Sequence, residues 1–219
     1  MAILLAREFR RLATYDGPLD TNISVHRSNL TRILRLVYSQ VFDNFGKRVF
    51  QALRNGKDEG DDVDSILSNA RNSYIADNVG RKVTQISDTS REKIQAIIDQ
   101  AEAEDLSSGE IADLIQAALS EDIGDRRAMT IARTEVHGAS QDSQFEAAQA
   151  TGLNVVKRWV AVEDKRTRED HVDADGQVVN MDEYFQVGDD ELMYAGDPSG
   201  SPEQVINCRC ITVYEESNG

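Results

Sequence analysis

The chain has 219 residues, 40% hydrophobic and 29% charged, with a net charge of −15. That composition can bury a core, but it lacks the basic stripe with which a protein displaces counterions from duplex DNA. No apolar run approaches the roughly 18 residues of a membrane-spanning helix, and the apolar start at Ala2–Ala6 has no basic leader, so no signal peptide is expected. Residues 155–219 carry fifteen acids against six bases, which excludes tight, sequence-independent DNA binding by that end.

Prolines occur only at 18, 198 and 202, so 19–197 is open to long helices. Leu30, Ile33, Leu34, Val37, Val41, Phe45, Val49 and Leu53 recur at three- and four-residue steps, which predicts one helix over 24–54. Asn55-Gly56 ends it, and the Gly/Asp-rich stretch 56–62 is a loop. A second helix is expected over 62–86. A third, over 89–104, has Ile94, Ile97, Ile98 and Ala101 as its stripe. Ser107 and Glu110 form a capping box, opening a helix that buries Ile111, Leu114, Ile115 and Leu119. Asp125 caps a further helix over 126–150, closed by Gly152.

Beyond Gly152 the texture changes. Val155–Val162 is β-rich, polar turns follow at Asp175-Gly176 and Gly196-Asp197-Pro198, and Cys208–Tyr214 reads as a second strand. The fold expected is α+β: a long-helix N-terminal region, 1–106, then a compact α+β domain with a small antiparallel sheet, 107–219.

Several residues stand out chemically. Glu135 shares a helical face with Ala128, Ile131, Ala132 and Ala139, and a carboxylate there needs a partner. Trp159 is the expected core anchor of the first strand. Cys208 and Cys210, one residue apart, exceed comfortable disulfide reach in a strand and read as thiols. With His171 they make three soft donors of the kind zinc prefers; a fourth would come from Asp173, Asp175, His137 or water. The alternative is two half-buried thiols and a hydrogen-bonded histidine. His26 and His137 carry no signal alone. No phosphate loop, dinucleotide fingerprint, zinc-protease motif or nucleophile elbow appears, so no catalytic residue is assigned. Strand alternation should place Arg209 with Ile211 and Val213 on an inward face, where a guanidinium needs a carboxylate. Glu135 is the expected partner, making Arg209–Glu135 a structural pair.

The helix carrying Ile131-Ala132-Arg133-Thr134-Glu135, the strand with Lys157-Arg158-Trp159, the Asp164-x-Arg166-Thr167-Arg168 turn, His171 ahead of Asp175-Gly176, Phe185, Gly196-Asp197-Pro198 and Asn207-Cys208-Arg209-Cys210 together resemble the phage Mu protein F-like domain of minor head proteins, over about 107–214. Many members have a cysteine pair in the turn and a His-Pro before the Asn-Cys, and look like zinc binders. Here Arg168 and His171 occupy the pair's positions and Val205-Ile206 precede Asn207. The resemblance implies a structural, non-enzymatic protein of the virion, inside the capsid and assembled in the host cytoplasm, present in one or more copies. It implies contact with portal and with capsid or scaffold proteins, roles in head morphogenesis and in DNA packaging or delivery, and packaged double-stranded DNA nearby, tolerated because counterions screen the acidic surface. No cofactor is expected, zinc being the alternative. Two competing readings are an enzyme-like domain, nuclease or nucleotide-transferring, with Glu135, Arg166 and His171 in one cleft, and a small zinc-stabilised interaction module.

Overall fold

The computed structural model describes residues 1–14, 17–54, 63–104, 106–119 and 121–217; the stop at Asn55-Gly56 and the loop 56–62 lie outside the described residues. Five helices come first: α1 (Ala2–Ala13), α2 (Leu19–Leu53), α3 (Val63–Ala103), α4 (Ser108–Ala118) and α5 (Glu121–Ala150). The rest alternates short elements: β1 (Val155–Val160), α6 (Glu169–Asp173), β2 (Val178–Asn180), β3 (Phe185–Val187), β4 (Asp190–Leu192), α7 (Pro202–Val205) and β5 (Ile211–Glu216). The α+β class is as expected. No helix among the described residues is long and apolar enough to cross a membrane.

Several helix boundaries differ from expectation, and α2 starts at Leu19, ahead of the expected 24. The helices expected over 62–86 and 89–104 are one, α3. The polar run between them satisfies itself inside the helix: Ser87, Thr89 and Ser90 hydroxyls donate back to the carbonyls of Thr84, Gln85 and Ile86 at 3.1, 2.8 and 2.9 Å, so residues that favour turns break nothing. α5 begins at Glu121, ahead of Asp125, and Asp125 pairs with Arg10 at 3.1 Å across an exposed surface. The Ser107–Glu110 capping box is formed in full, yet Leu114 on its helix is 42% exposed. Gly152 closes α5 with φ +65°, the left-handed conformation that glycine adopts without a Cβ penalty.

The chain forms two compact units, each discontinuous in sequence, where a single division at 106/107 was expected. One comprises Met1–Val37 with Ala76–Ala132, the other Tyr38–Ile75 with Arg133–Gly219. In the first, Leu12, Ile23, Ile94 and Leu119 share a core with Ile98 and Ile115. Beside it Glu8 is buried and satisfied on both oxygens: by Arg11 at 2.7–3.1 Å, by His26 Nδ1 at 2.9 Å and by Asn29 at 2.7 Å. A buried carboxylate tolerates its desolvation only with such partners.

In the second unit, Phe50, Val63, Leu67 and Ala147 form a helical core. The stripe on α2 turns here. Phe45 is 37% exposed, while Phe42 and Phe50 are buried. Gly46 allows the approach: a Cβ there would sit 2.9 Å from Leu67 Cδ2 and 3.1 Å from the Ser143 carbonyl.

The three-stranded sheet has the order β2-β1-β5, antiparallel throughout, with Trp159 opposite Thr212 and Lys157 opposite Tyr214. β1 alternates strictly, so Val155, Lys157 and Trp159 face inward. β3 and β4 form a hairpin closed by Gly188-Asp189, with Gly188 at φ +59° as a two-residue hairpin loop requires. Trp159 is fully buried with Ala174, Phe185, Val187, Leu192, Cys208 and Cys210 around it. Phe145, Ala148, Val155, Tyr194 and Tyr214 form a second core, covered by Val49 and Leu53 of α2.

Candidate functional site

The site gathers where the expected motifs meet around Trp159. In the turn after β1, Asp164 Oδ1 accepts from the Arg166 amide at 2.8 Å, and the Thr167 hydroxyl donates to the Val162 carbonyl. Asp175 Oδ1 accepts from the Ala161 amide at 2.7 Å, and the Gly176 amide donates to the Trp159 carbonyl at 2.9 Å. These bonds leave α6 alongside the segment 206–210 and carry His171 into the interior, 2% exposed.

There His171 Nδ1 lies 3.1 Å from Cys210 Sγ and 3.9 Å from Cys208 Sγ. The Trp159 ring meets the imidazole edge-on, centroids 5.7 Å apart. The other ring nitrogen, Nε2, is 3.0 Å from Gln204 Oε1, and the Gln204 amide nitrogen donates to Asp170 Oδ2 at 2.5 Å. That chain of bonds has a direction. Asp170 can only accept, so Gln204 must turn its NH2 to Asp170 and its oxygen to His171. His171 must then carry its proton on Nε2, which leaves the Nδ1 lone pair facing the sulfurs. Gly188 makes room: a Cβ there would come 2.5 Å from Asp170 Oδ2 and 2.9 Å from Gln204 Nε2.

The two thiols are inequivalent. Cys208 hydrogen-bonds to Cys210, which pushes the Cys208 thiol up, with burial adding to it, and holds Cys210 down. Both cysteines are unbridged, as expected. His171, Cys208 and Cys210 thus present one donor atom each within 4.8 Å of one another. Asp173, Asp175 and His137 are not in that set. Asp175 is engaged by Ala161, and His137, held low by burial, packs against Gly196. The donor chemistry fits zinc, one ligand short of a closed tetrahedral site. Arg168, at the position of the missing turn ligand, donates to the Ile206 carbonyl at 2.5 Å.

The expected Arg209–Glu135 pair is not formed. Arg209 makes a bidentate pair with Asp164, 2.6 Å at each contact, with each side chain about one-third exposed, and it holds the Asp164 carboxyl well below its ordinary range. Glu135 is buried and accepts from the Tyr38 hydroxyl at 2.5 Å. The parity was read the wrong way round. Cys208, Cys210, Thr212 and Tyr214 face inward while Ile211 is 45% exposed, so Arg209 points outward.

The helix of Glu135 still ties down the terminal segment, through other residues. Thr134 Oγ1 accepts from the Asn207 amide at 3.0 Å, and Gln141 Oε1 accepts from the Thr212 amide at 2.9 Å. Glu135, Arg166 and His171 do not share one cleft: Arg166 and His171 line a small cavity beside Cys210, while Glu135 is not in its lining and is engaged by Tyr38. Sequence reasoning also missed Gln204, Asp170 and Lys157. Lys157 is fully buried, donating to the Met193 carbonyl at 2.8 Å between the Phe145 and Phe185 rings. Burial brings its ammonium down to about 8, with Asp197, Asp182 and Glu183 opposing.

The arrangement of turn, buried histidine and terminal Asn-Cys-Arg-Cys lies within residues 93–213, which match the family model described as Phage Mu protein F like protein. The chain belongs to that family. The match starts ahead of the expected 107 and covers more than half the chain. Three relatives place this Mu F-like chain further. It is 26% identical over 219 residues to Minor head protein GP7 of Bacillus phage SPP1, covering 94% of this chain and 69% of that protein. It is 34% identical over 93 residues to NAD(+)--arginine ADP-ribosyltransferase EFV of Enterococcus faecalis (strain ATCC 700802 / V583), 40% of this chain and 18% of that protein. It is 36% identical over 89 residues to Uncharacterized protein YqbB of Bacillus subtilis (strain 168), 39% of this chain and 29% of that protein. The chain thus spans less than a third of the length of the latter two. No solved structure matches.

Proposed function

We propose that this Mu F-like chain is a minor head protein of a tailed bacteriophage, a structural component of the virion acting in head morphogenesis. The observation carrying this reading is the similarity to Minor head protein GP7, which runs along 94% of the chain and so takes in the helices as well as the Mu F-like part. The architecture agrees with a structural role: the turn after β1 and the terminal strand close a fold, and Glu135 accepts from Tyr38. The stretch shared with the ADP-ribosyltransferase is 18% of that protein, too little to carry its activity here.

The finer reading places the protein in the capsid interior, assembled in the host cytoplasm, in contact with portal and with capsid or scaffold proteins, and serving DNA packaging or delivery. The free faces of α1–α3 are the docking surfaces in that reading, since amphipathic helices that bury one stripe leave the other available. DNA lies nearby without a basic surface to grip it. The experiment is a phage lacking this open reading frame, complemented with a tagged copy. The tagged chain should co-sediment with heads and portal, and heads made without it should be misassembled or empty. A normal yield of filled heads without the protein, or its absence from purified heads by mass spectrometry, overturns the proposal.

A further inference from the structure

Docking by the long helices requires a particular face and a partner of matching chemistry. We propose that the exposed face of α2 carrying Val25, Arg32, Arg35 and Leu36, with Ile3 and Arg7 of α1 beside it, docks an acidic surface bearing apolar side chains on another head protein. The inference rests on the head-protein reading and deepens it.

Charge picks out the face. Residues 1–54 carry nine bases against four acids, while 55–219 carry fifteen bases against thirty-five acids, so α1 and α2 form a basic segment of an acidic chain. Arg10, Arg11 and Arg27 are paired with Asp125, Glu8 and Asp88. Arg7, Arg32 and Arg35 are exposed and form no ion pair among the described residues. Arg32 and Arg35 stand three residues apart, neighbours on the helix surface, where unmatched like charges are unfavourable. The apolar pattern coincides with them. At about 100° per residue, Val25, Arg32 and Leu36 fall within about 40° of one another, with Arg35 on the flank. Ile3 is 69% exposed, Leu36 46% and Val25 40%. α1 runs antiparallel beside α2, since Asn22 donates to the Leu12 carbonyl and Asn29 to Glu8, which brings Ile3 and Arg7 level with the stretch of about 27–34. Aliphatic side chains set among unpaired guanidiniums have the composition of a protein interface, where arginine is enriched and its stem packs on apolar surface. An acidic partner supplies the missing carboxylates and covers the aliphatics. Nucleic acid fits less well: phosphate has no use for Ile3, Val25 and Leu36, and the acidic remainder of the chain repels a polyanion.

The test uses the phage lacking this open reading frame, supplied with tagged full-length chain. Two variants change the net charge equally: Arg32→Glu/Arg35→Glu on the face, and Lys93→Glu/Lys165→Glu at exposed bases elsewhere. Both, purified, should keep the helical circular dichroism of wild type. Mass spectrometry of heads should find wild type and the Lys93/Lys165 variant at equal levels. The Arg32/Arg35 variant should be at least about 10-fold lower, because like charges then face each other across the contact. Arg32→Lys/Arg35→Lys keeps the charge and should recover most of the incorporation. Benzoylphenylalanine in place of Leu36, photolysed in assembled heads, should cross-link to an acidic segment of another head protein. Wild-type incorporation of Arg32→Glu/Arg35→Glu overturns the face, as does equal loss of both charge-reversed variants. No cross-link, or one to nucleic acid, to a second copy of this chain or to a basic segment, overturns the partner chemistry. Absence of the wild-type chain from heads overturns the head-protein reading itself, and this inference with it.

Discussion

The backbone N–H of Asn207 donates to the Thr134 hydroxyl at 3.0 Å, and Asn207 is the one non-glycine residue with positive φ, 54°, among those described. A helix side chain thus holds the bend that aims Cys208 and Cys210 inward. Thr134→Val keeps the shape and removes the acceptor, leaving an amide unsatisfied. The expected loss is about 1–3 kcal/mol in urea unfolding. Asn207→Gly, which suits the left-handed conformation, should be no worse than wild type, and Asn207→Ala should lose about 1 kcal/mol. A silent Thr134→Val would show that the bend holds itself.

Trp159 makes the largest fully buried contribution to its core. Trp159→Ala should cost roughly 3–5 kcal/mol, measured by denaturant unfolding followed by circular dichroism. A loss below about 1 kcal/mol contradicts its placement.

Lys157 imposes a pH signature. Its folded pKa, about 8, lies below the ordinary value of 10.5, so between those values the unfolded chain binds more protons and stability rises with pH. The full difference corresponds to about 3 kcal/mol. Lys157→Met removes the buried charge, so it should be more stable than wild type near pH 7, the gap closing as pH climbs from 8 to 10.5. Parallel curves for the two proteins across that range would place the ammonium in solvent.

Arg209 and Asp164 should couple in a double-mutant cycle, and Arg209 with Glu135 should be additive. The folded Asp164 carboxyl is depressed, so its stabilisation is present above the unfolded value and lost only as pH falls below it. Asp164→Asn should blunt that acid loss. Equal acid sensitivity in both proteins would leave the pair without weight.

Residues 107–219 alone should not reach the native state. Ala147 packs on Phe50, Val63 and Leu67, the Phe145 cluster is covered by Val49 and Leu53, and Glu135 needs Tyr38. The fragment should bind hydrophobic dyes and lose near-ultraviolet dichroism, as incompletely packed chains do. A fragment with the full chain's melting temperature would refute the discontinuous unit.

What the sequence determined by itself was local chemistry and periodicity. The helical period of α2, the capping box at Ser107 and Glu110, the glycine stop at Gly152 and the β-rich run of β1 depend on neighbours within a few residues, so each was legible, as was the grouping of His171 with the two cysteines by donor type. Tertiary structure decided the rest. Whether Ser87–Ser90 breaks a helix depends on whether those hydroxyls return to their own helix, which they do. Which parity of 208–214 faces inward depends on what covers the sheet, so Arg209 went to Asp164 and Glu135 to Tyr38. Gln204 and Asp170 carried no local pattern at all: their roles arise from a hydrogen-bond chain closed between segments more than 30 residues apart, and only the folded backbone sets that distance.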